Sequence, residues 1–401
     1  MSPIVKLSPV DTLRELVALP SVNPMGQPPV EEICFEHRVS DYLERLFRGW
    51  GLPYERQTVE PLRDNIVARL DGHPPASAGG PLLLLEAHQD TVPTTGMTID
   101  PFDPVVRDGR VYGRGACDIK GGLAAMLAAL SRLVDEPRAG RPTIVLAATV
   151  NEEHGFSGAA ALTQLWSRPG GIFPRVPDGA VIAEPTELNV VVAHKGVVRW
   201  RCHAHGRAMH SSQPQLGDNA IFRMARVLAA LETYGREVAP TLPEHALCGR
   251  PSLSVGTIHG GLSVNTVPDR CTIEIDRRFN PAETADGAYR HVIDHVARSL
   301  GGCQQIEHEG PFLVARGLPD DANGPLAERL ASAARGVCPT SRRIGVPFGT
   351  NAAEFAAAGV PSVVFGPGSV AQAHTADEWL AIDQLEAAAE VLYRFAAGGR
   401  I

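Results

Sequence analysis

The 401-residue chain is defined first by what it lacks. No run of eighteen apolar residues occurs, so no membrane-spanning helix is expected. Positive charge is in the minority, with 37 Lys and Arg against 45 Asp and Glu and a net charge of −8. Nucleic acid requires a basic face, which this balance does not supply. The start, MSPIVKLSPVDTLRELVALPSV, has no charged segment leading into an apolar stretch and a small-residue cleavage site. No signal peptide is therefore expected. Cysteine is sparse and odd in number: Cys34, Cys117, Cys202, Cys248, Cys271, Cys303 and Cys338, with no close pairs. That pattern predicts a reducing, cytoplasmic setting rather than a disulfide framework. Internal repeats and low-complexity tracts are missing as well. What remains is globular, since 44% hydrophobic and 20% charged residues exclude disorder. A chain of this length exceeds one ordinary core, so two domains are expected.

Against that background, five acidic or imidazole side chains stand at turns or just past short apolar runs: His88, Asp118, Glu153, Glu184 and His374. The gaps between them are 30, 35, 31 and 190 residues. Thirty residues is roughly the length of one strand–helix–strand unit. The spacing predicts that successive parallel strands deliver one ligand each to the carboxyl rim of a sheet, where open α/β folds gather their ligands. The runs Pro81–Leu85, Thr143–Val150, Ala180–Ala183 and Pro361–Phe365 do not alternate, as expected of strands buried on both faces. Any one of these residues alone would read as a satisfied core histidine or a surface acid. Four runs with a ligand-type residue at the same end predict a two-metal hydrolase. Two imidazoles with three carboxylates make a zinc-type catalytic set rather than a calcium cage.

The local motifs add roles. In His88-Gln89-Asp90, residues i and i+2 share a strand face, so Asp90 is expected to orient the imidazole from behind. Tyr112-Gly113-Arg114-Gly115-Ala116-Cys117-Asp118 is a glycine-rich approach to an acid. Asp118 has two oxygens and can bridge two cations about 3.5–4 Å apart. A phosphate loop fits less well, because the GKS or GKT ending is missing. Cys117 reads as a small buried filler rather than a soft ligand, and His154 as a bystander. Glu152-Glu153 closes a strand with two carboxylates that splay apart. Glu153 is read as a ligand and Glu152 as the base that takes a proton from water and returns it to the leaving amine.

The pattern also predicts elements: a helix capped by Ser8 running to about Leu19, an amphipathic helix from Glu31 to Trp50, and a strand over Asn65–Leu70. Helices are expected at Gly121–Val134 and Ser157–Trp166. From Asn189 the pattern changes. Extended segments at Val190–Val192 and Gly196–Ala204, a helix at Asn219–Thr233, strands at Ser252–Ile258 and Arg270–Arg277, a helix at Ala285–Leu300 and a strand at Gln304–His308 give a split β-α-β order. An α+β, ferredoxin-like domain is therefore expected as an insertion at 190–310, between catalytic segments 1–189 and 311–401.

HQDTVP, GRGACDIKGG, NEEHG, AEPT and AHTADEW occur in that order. The chain thereby resembles the acetylornithine deacetylase / succinyl-diaminopimelate desuccinylase family of co-catalytic zinc amidohydrolases, over essentially its whole length. The resemblance implies an α/β, zinc-exopeptidase-like catalytic domain with a mostly parallel sheet and an inserted lid through which two copies dimerise. It implies two divalent metal ions, zinc with cobalt or manganese able to substitute. His88 and Glu184 would hold one, Glu153 and His374 the other, with Asp118 bridging and a cis peptide after it. Asp90 would support His88, and Glu152 would be the acid and base. His210 in AMHSS would stabilise the reacting carbonyl, often from the partner subunit. Asn265 and Arg278 would bind substrate, as would the loop Gly349-Thr350-Asn351. The expected substrate is a small N-acyl amino acid or short peptide. Gly366-Pro367-Gly368-Ser369 followed by Gln372-Ala373-His374 looks more like the deacetylases than the desuccinylases. Desuccinylases, carboxypeptidases and dipeptidases share the metal set and stay open as alternatives. Aminopeptidases are set lower, because the insertion is not expected in them, and a non-catalytic binding protein lower still, because Glu152 and all five ligands are present.

Overall fold

The computed structural model describes residues 6–136, 140–302 and 305–398. Cys303 lies outside the described residues, as does Gln304, the expected first residue of the insertion's last strand. The chain divides into two compact units. The first comprises 1–192, 320–344 and 350–401, and the second 193–319 with 345–349. The short return of the second unit at 345–349 had no signal in the sequence.

The first unit is built on a mixed sheet. Its four central strands run in the spatial order Thr143–Thr149, Leu82–His88, Gly179–Ile182, Ser362–Val364 and are parallel. Antiparallel strands Arg63–Leu70 and Tyr54–Glu60 extend one side. Every residue of the first three central strands is buried, which is why their sequences show no alternation. The edge strand Tyr54–Glu60 (YERQTVE) escapes that signature, being half-exposed and mostly polar, as edges that discourage aggregation are.

Helix Gly121–Asp135 connects the strands Leu82–His88 and Thr143–Thr149. It is buried nearly all round, so its sequence is apolar on every face. Gly122 at its start lets it pack tightly, because a Cβ there would sit 2.7 Å from the Ala183 side chain. The first helix is Pro9–Val17, with the Ser8 side chain accepting from Asp11 N. The second begins at His37, not Glu31. Phe35, at φ 69°, is left-handed and breaks the helical path, and the segment before it is tied to Val22 through Phe35 N→Val22 O.

Within the second unit, strands Gly196–His205, Ser252–Gly260, Arg270–Phe279 and Ile306–His308 and helices Ala220–Thr233 and Ala285–Ser299 follow the split β-α-β order. The sheet order is Ser252–Gly260, Arg270–Phe279, Gly196–His205, Ile306–His308, all antiparallel, with Leu313–Ala315 also pairing the Gly196 strand. Arg270–Phe279 alternates strictly between buried and partly exposed residues after Arg270. Its buried face, with Trp200, Met224, Val227 and Val292, forms a core of its own.

Candidate metal centre

Four of the five expected ligands follow the carboxyl ends of parallel strands. His88 ends its strand, Glu153 lies four residues past Thr149, Glu184 two past Ile182, and His374 ten past Val364. Asp118 does not come from a strand. The segment between His88 and Asp118 holds the hairpin Val105–Arg107 and Arg110–Tyr112, and Asp118 sits in the turn 116–120 that opens helix Gly121–Asp135. The 30-residue gap is therefore not a strand–helix–strand unit, and its likeness to the next gap reflects no repeated geometry. The Asp118–Ile119 peptide is cis.

The donors converge. Single donor atoms of His88, Asp118 and Glu153 lie within 4.8 Å of one another, and so do those of His88, Glu152 and Glu184. His88 Nε2 is 3.3 Å from Asp118 Oδ1 and 3.9 Å from Glu184 Oε1. His374 Nε2 is 3.4 Å from both Asp118 Oδ2 and Glu153 Oε2. Asp118 thus faces an imidazole on each of its two oxygens. Glu152 stands inside the cluster rather than beside it.

Electrostatics test whether a cation fits. Four carboxylates crowd against two imidazoles. Burial, with the neighbouring carboxylates helping, pushes Glu152 and Glu184 well above the usual carboxylate range, although His88 opposes it. Burial lifts Glu153 to about 7. Asp118 is held low instead, because the His374 and His88 imidazoles outweigh its burial. Asp118 and then Glu153 push His374 up to about 10. Such a cluster lacks positive charge. Moreover, His88 Nε2, Asp118 Oδ1 and Glu153 Oε1 are buried atoms with no hydrogen-bond partner. Buried polar atoms are rarely left so, and these three all point to one donor group. The residues fit divalent cations, and the donor set is a candidate site for two.

Asp90 does more than expected. His88 Nδ1 meets the Asp90 backbone oxygen at 3.0 Å, with carboxylate Oδ1 at 3.4 Å. The carboxylate itself accepts from Glu152 N on Oδ1 and from Glu153 N on Oδ2, each at 3.1 Å. It therefore fixes the strand turn as well as the imidazole. A comparable role was missed at Glu378, fully buried in the AHTADEW motif. Its oxygens accept from Gly115 N, Cys117 N and Asp118 N at 2.9–3.0 Å and from Arg114 Nη1 at 2.7 Å. The glycine-rich approach is thus wrapped around one carboxylate. An acid inside a quoted motif was the available signal.

The remaining expected residues fall into separate groups. In the second unit His210 and Asn265 are neighbours: strands Met209–His210 and Thr266–Val267 pair, and Ser211 N donates to Asn265 O at 2.9 Å. Both residues are exposed. Arg278 donates through Nε to Asp276 Oδ1 at 2.7 Å, so its charge is partly matched within its own strand. Gly349 is assigned to the second unit and Thr350 to the first. Thr350 is buried, and its hydroxyl accepts from Ala352 N at 3.1 Å, opening helix Ala352–Ala357. Asn351 is also buried and donates to Glu86 Oε1 at 2.8 Å.

The matching family model is Peptidase family M20/M25/M40, over residues 84–398. The chain belongs to this family. Acetylornithine deacetylase of Vibrio campbellii is 32% identical over 365 residues, covering 89% of this chain and 90% of that protein. The Myxococcus xanthus acetylornithine deacetylase is 30% identical, covering 97% of both. Among solved structures, a Staphylococcus aureus tripeptidase superposes with a TM-score of 0.76 at 22% identity, covering 98% of this chain and all of that one. An aminopeptidase from Bacillus cereus gives 0.71 at 21% identity, covering 99% of each. That full-length match removes the ground on which aminopeptidases were set lower, since one of them carries a counterpart of nearly the whole chain, insertion included. This M20 protein is a metal-dependent hydrolase of amide or peptide bonds. Among its described residues no helix is long and apolar enough to cross a membrane. Cys34, Cys117, Cys202, Cys271 and Cys338 form no disulfide.

Proposed function

We propose that the protein is a zinc-dependent deacylase that removes the acyl group from an N-acyl amino acid such as N-acetylornithine. The observation that carries this reading is the convergence of His88, Asp118, Glu153 and Glu184 with Glu152 in one buried cluster. The acetylornithine deacetylases aligned over 89–97% of the chain support deacylation as the reading. His88 and Glu184 would hold one ion, Glu153 and His374 the other, and Asp118 both. Ions bound there supply Lewis acidity, polarising the amide carbonyl and making water more acidic.

The chain's own residues then divide the work. Glu152 accepts the proton of the attacking water and delivers it to the departing amine nitrogen. Its displaced affinity for protons suits that duty, because burial makes it a stronger base than a solvated glutamate. Asp90 holds the His88 ring and the Glu152–Glu153 backbone together. His210 hydrogen-bonds the carbonyl oxygen as negative charge develops on it. Asn265 and Arg278 orient the substrate, Arg278 by exchanging Asp276 for the substrate carboxylate. The loop residues Gly349 and Thr350 are read as further contacts to the substrate carboxylate. We infer further that 193–319 serves as the lid and pairs two chains, each passing His210 to the other, in a cytoplasmic enzyme.

Metal analysis, with turnover of N-acetyl amino acids, N-succinyl amino acids and dipeptides by the zinc-loaded protein, tests the reading. N-acetyl amino acids should be hydrolysed fastest. A dipeptide preference would move the protein to the exopeptidases, and no hydrolysis of any of the three would overturn the assignment. Mixing His210→Ala with Glu152→Ala protein should restore part of the activity. A strictly monomeric enzyme, or no recovery after proven subunit exchange, would refute the shared site.

A further inference from the structure

An ion pair lies buried in the first unit with no contact to the metal-ligating atoms. Arg63 Nη2 donates to Glu36 Oε1 at 2.6 Å, and Nε reaches both carboxylate oxygens at 3.0–3.2 Å, with the two side chains 5% and 0% exposed. Burying two charges costs about as much as their attraction returns, so an apolar pair of equal volume would serve the core as well. What an apolar pair could not do is grip Asn151. Arg63 Nη1 donates to Asn151 Oδ1 at 3.0 Å, and Asn151 N donates to Glu36 Oε1 at 3.2 Å. Asn23 Nδ2 adds a second donor to Asn151 Oδ1 at 2.9 Å and also donates to Asp90 Oδ2 at 2.8 Å.

The consequence is a strand end held at three successive peptides. The N–H groups of Asn151, Glu152 and Glu153 go to two buried carboxylates, Glu36 and Asp90, which Asn151 and Asn23 bridge. Asn151 itself adopts φ 62°, a left-handed conformation that asparagine tolerates better than other side-chain-bearing residues. Local bonds hold the far side of the turn, where Phe156 N donates to Asn151 O at 2.7 Å and Asn151 Nδ2 to Ser157 Oγ at 2.8 Å, whereas the N–H groups that lead into the two glutamates depend on Glu36 and Asp90.

We propose that Glu36 and Arg63, acting through Asn151 and Asn23, are positioning residues that aim the Glu152–Glu153 carboxylates. The proposal rests on the reading of Glu152 as the proton carrier. It predicts a specific result for the double variant Glu36→Met/Arg63→Met, which removes both charges and leaves neither unpaired. The metal-free protein should keep its melting temperature within a few degrees. Zinc titrated calorimetrically into it should bind about 10-fold more weakly. At saturating zinc, kcat should fall about 100-fold, as expected of an ångström-scale misplacement, while KM stays within about twofold. In a Glu152→Ala background the same double change should lower kcat less than about twofold further.

Arg63→Lys keeps the charge but loses the fork and should fall between the two. If the double variant does not fold, Asn151→Gly replaces it. Glycine accepts the left-handed backbone, and the Glu36–Arg63 pair stays intact while its side-chain grip is lost. Unchanged kcat and zinc affinity in a folded double variant, or an equal drop with and without Glu152, would overturn the proposal alone. Full turnover in Glu152→Ala would overturn it together with the reading beneath it.

Discussion

The two units solve the problem of a sheet's polar edges in opposite ways. In the first, parallel strands are buried on both faces, and chemistry is pushed to the ends of the strands, where buried carboxylates and imidazoles stand against one another. In the second, an antiparallel sheet buries one face under two helices and leaves charged residues such as Asp276 and Arg278 on the other. The first unit therefore concentrates electrostatic stress at one rim, with three orphaned donor atoms. The second is held mainly by an apolar core, which also buries Arg277 in an ion pair with Glu283 at 3.2 Å.

Removing divalent ions with a chelator gives the largest contrast. Activity should be abolished, and unfolding of the first unit should shift to lower temperature, because ligands that bind only the folded state stabilise it. Amide exchange in the second unit should be unchanged at equal pH, and equal destabilisation of both units would break the comparison. Next in size, Glu152→Ala should lower kcat about 10²–10⁴-fold with the fold intact, the range for a lost general acid–base group. Arg278→Ala, in the second unit, should instead raise KM for carboxylate-bearing substrates about 10–100-fold, the value of a hydrogen bond to a charged group. A kcat effect as large as that of Glu152→Ala would mean that Arg278 does more than bind the substrate carboxylate.

Packing changes should be smaller and confined to their own units. Leu84→Ala, in a strand with no exposed residue, should cost about 2–5 kcal/mol and expose first-unit amides. Trp200→Ala should cost about 3–5 kcal/mol in the second unit, where the indole is fully buried, edge-on to Tyr289 at 5.1 Å.

Acid should separate the units by the smallest margin. Burial, aided by His203, pushes His308 down to about 4, and its Nδ1 accepts from Trp200 Nε1 at 3.0 Å. An unfolded histidine takes its proton near 6.5, so between 6.5 and 4 the folded state binds fewer protons. Its contribution is therefore complete above 6.5 and is lost as pH falls. Segment-resolved hydrogen exchange at pH 7 and pH 5, corrected for intrinsic rates, should show the second unit weakening relative to the first. His308→Gln, whose amide oxygen can still accept from Trp200, should shrink the difference.

Much of this was legible along the chain because burial on both faces leaves an unmistakable apolar run. The strands ending near His88, Glu153, Glu184 and His374 stand where the runs predicted. Asp118 was legible as a residue but not as a placement. Its glycine-rich approach is shaped by Glu378, which lies 260 residues away. The helix start at His37 was missed because Phe35 turns left-handed under contacts to Val22 that no local pattern encodes. The strand Tyr54–Glu60 was missed because an exposed polar edge has no apolar signature.

By itself the sequence determined which side chains could bind cations, since donor type is chemistry and needs no geometry, and it determined both the parallel core and the split β-α-β order, since burial dictates periodicity. Tertiary structure alone decided how those side chains are aimed. Asp90 turned out to hold two peptide N–H groups, Glu378 three, and Glu36 with Arg63 a single asparagine. Such bonds join residues tens to hundreds of positions apart. Their strength depends on distances and burial that exist only after the chain has folded, so no window of sequence contains them.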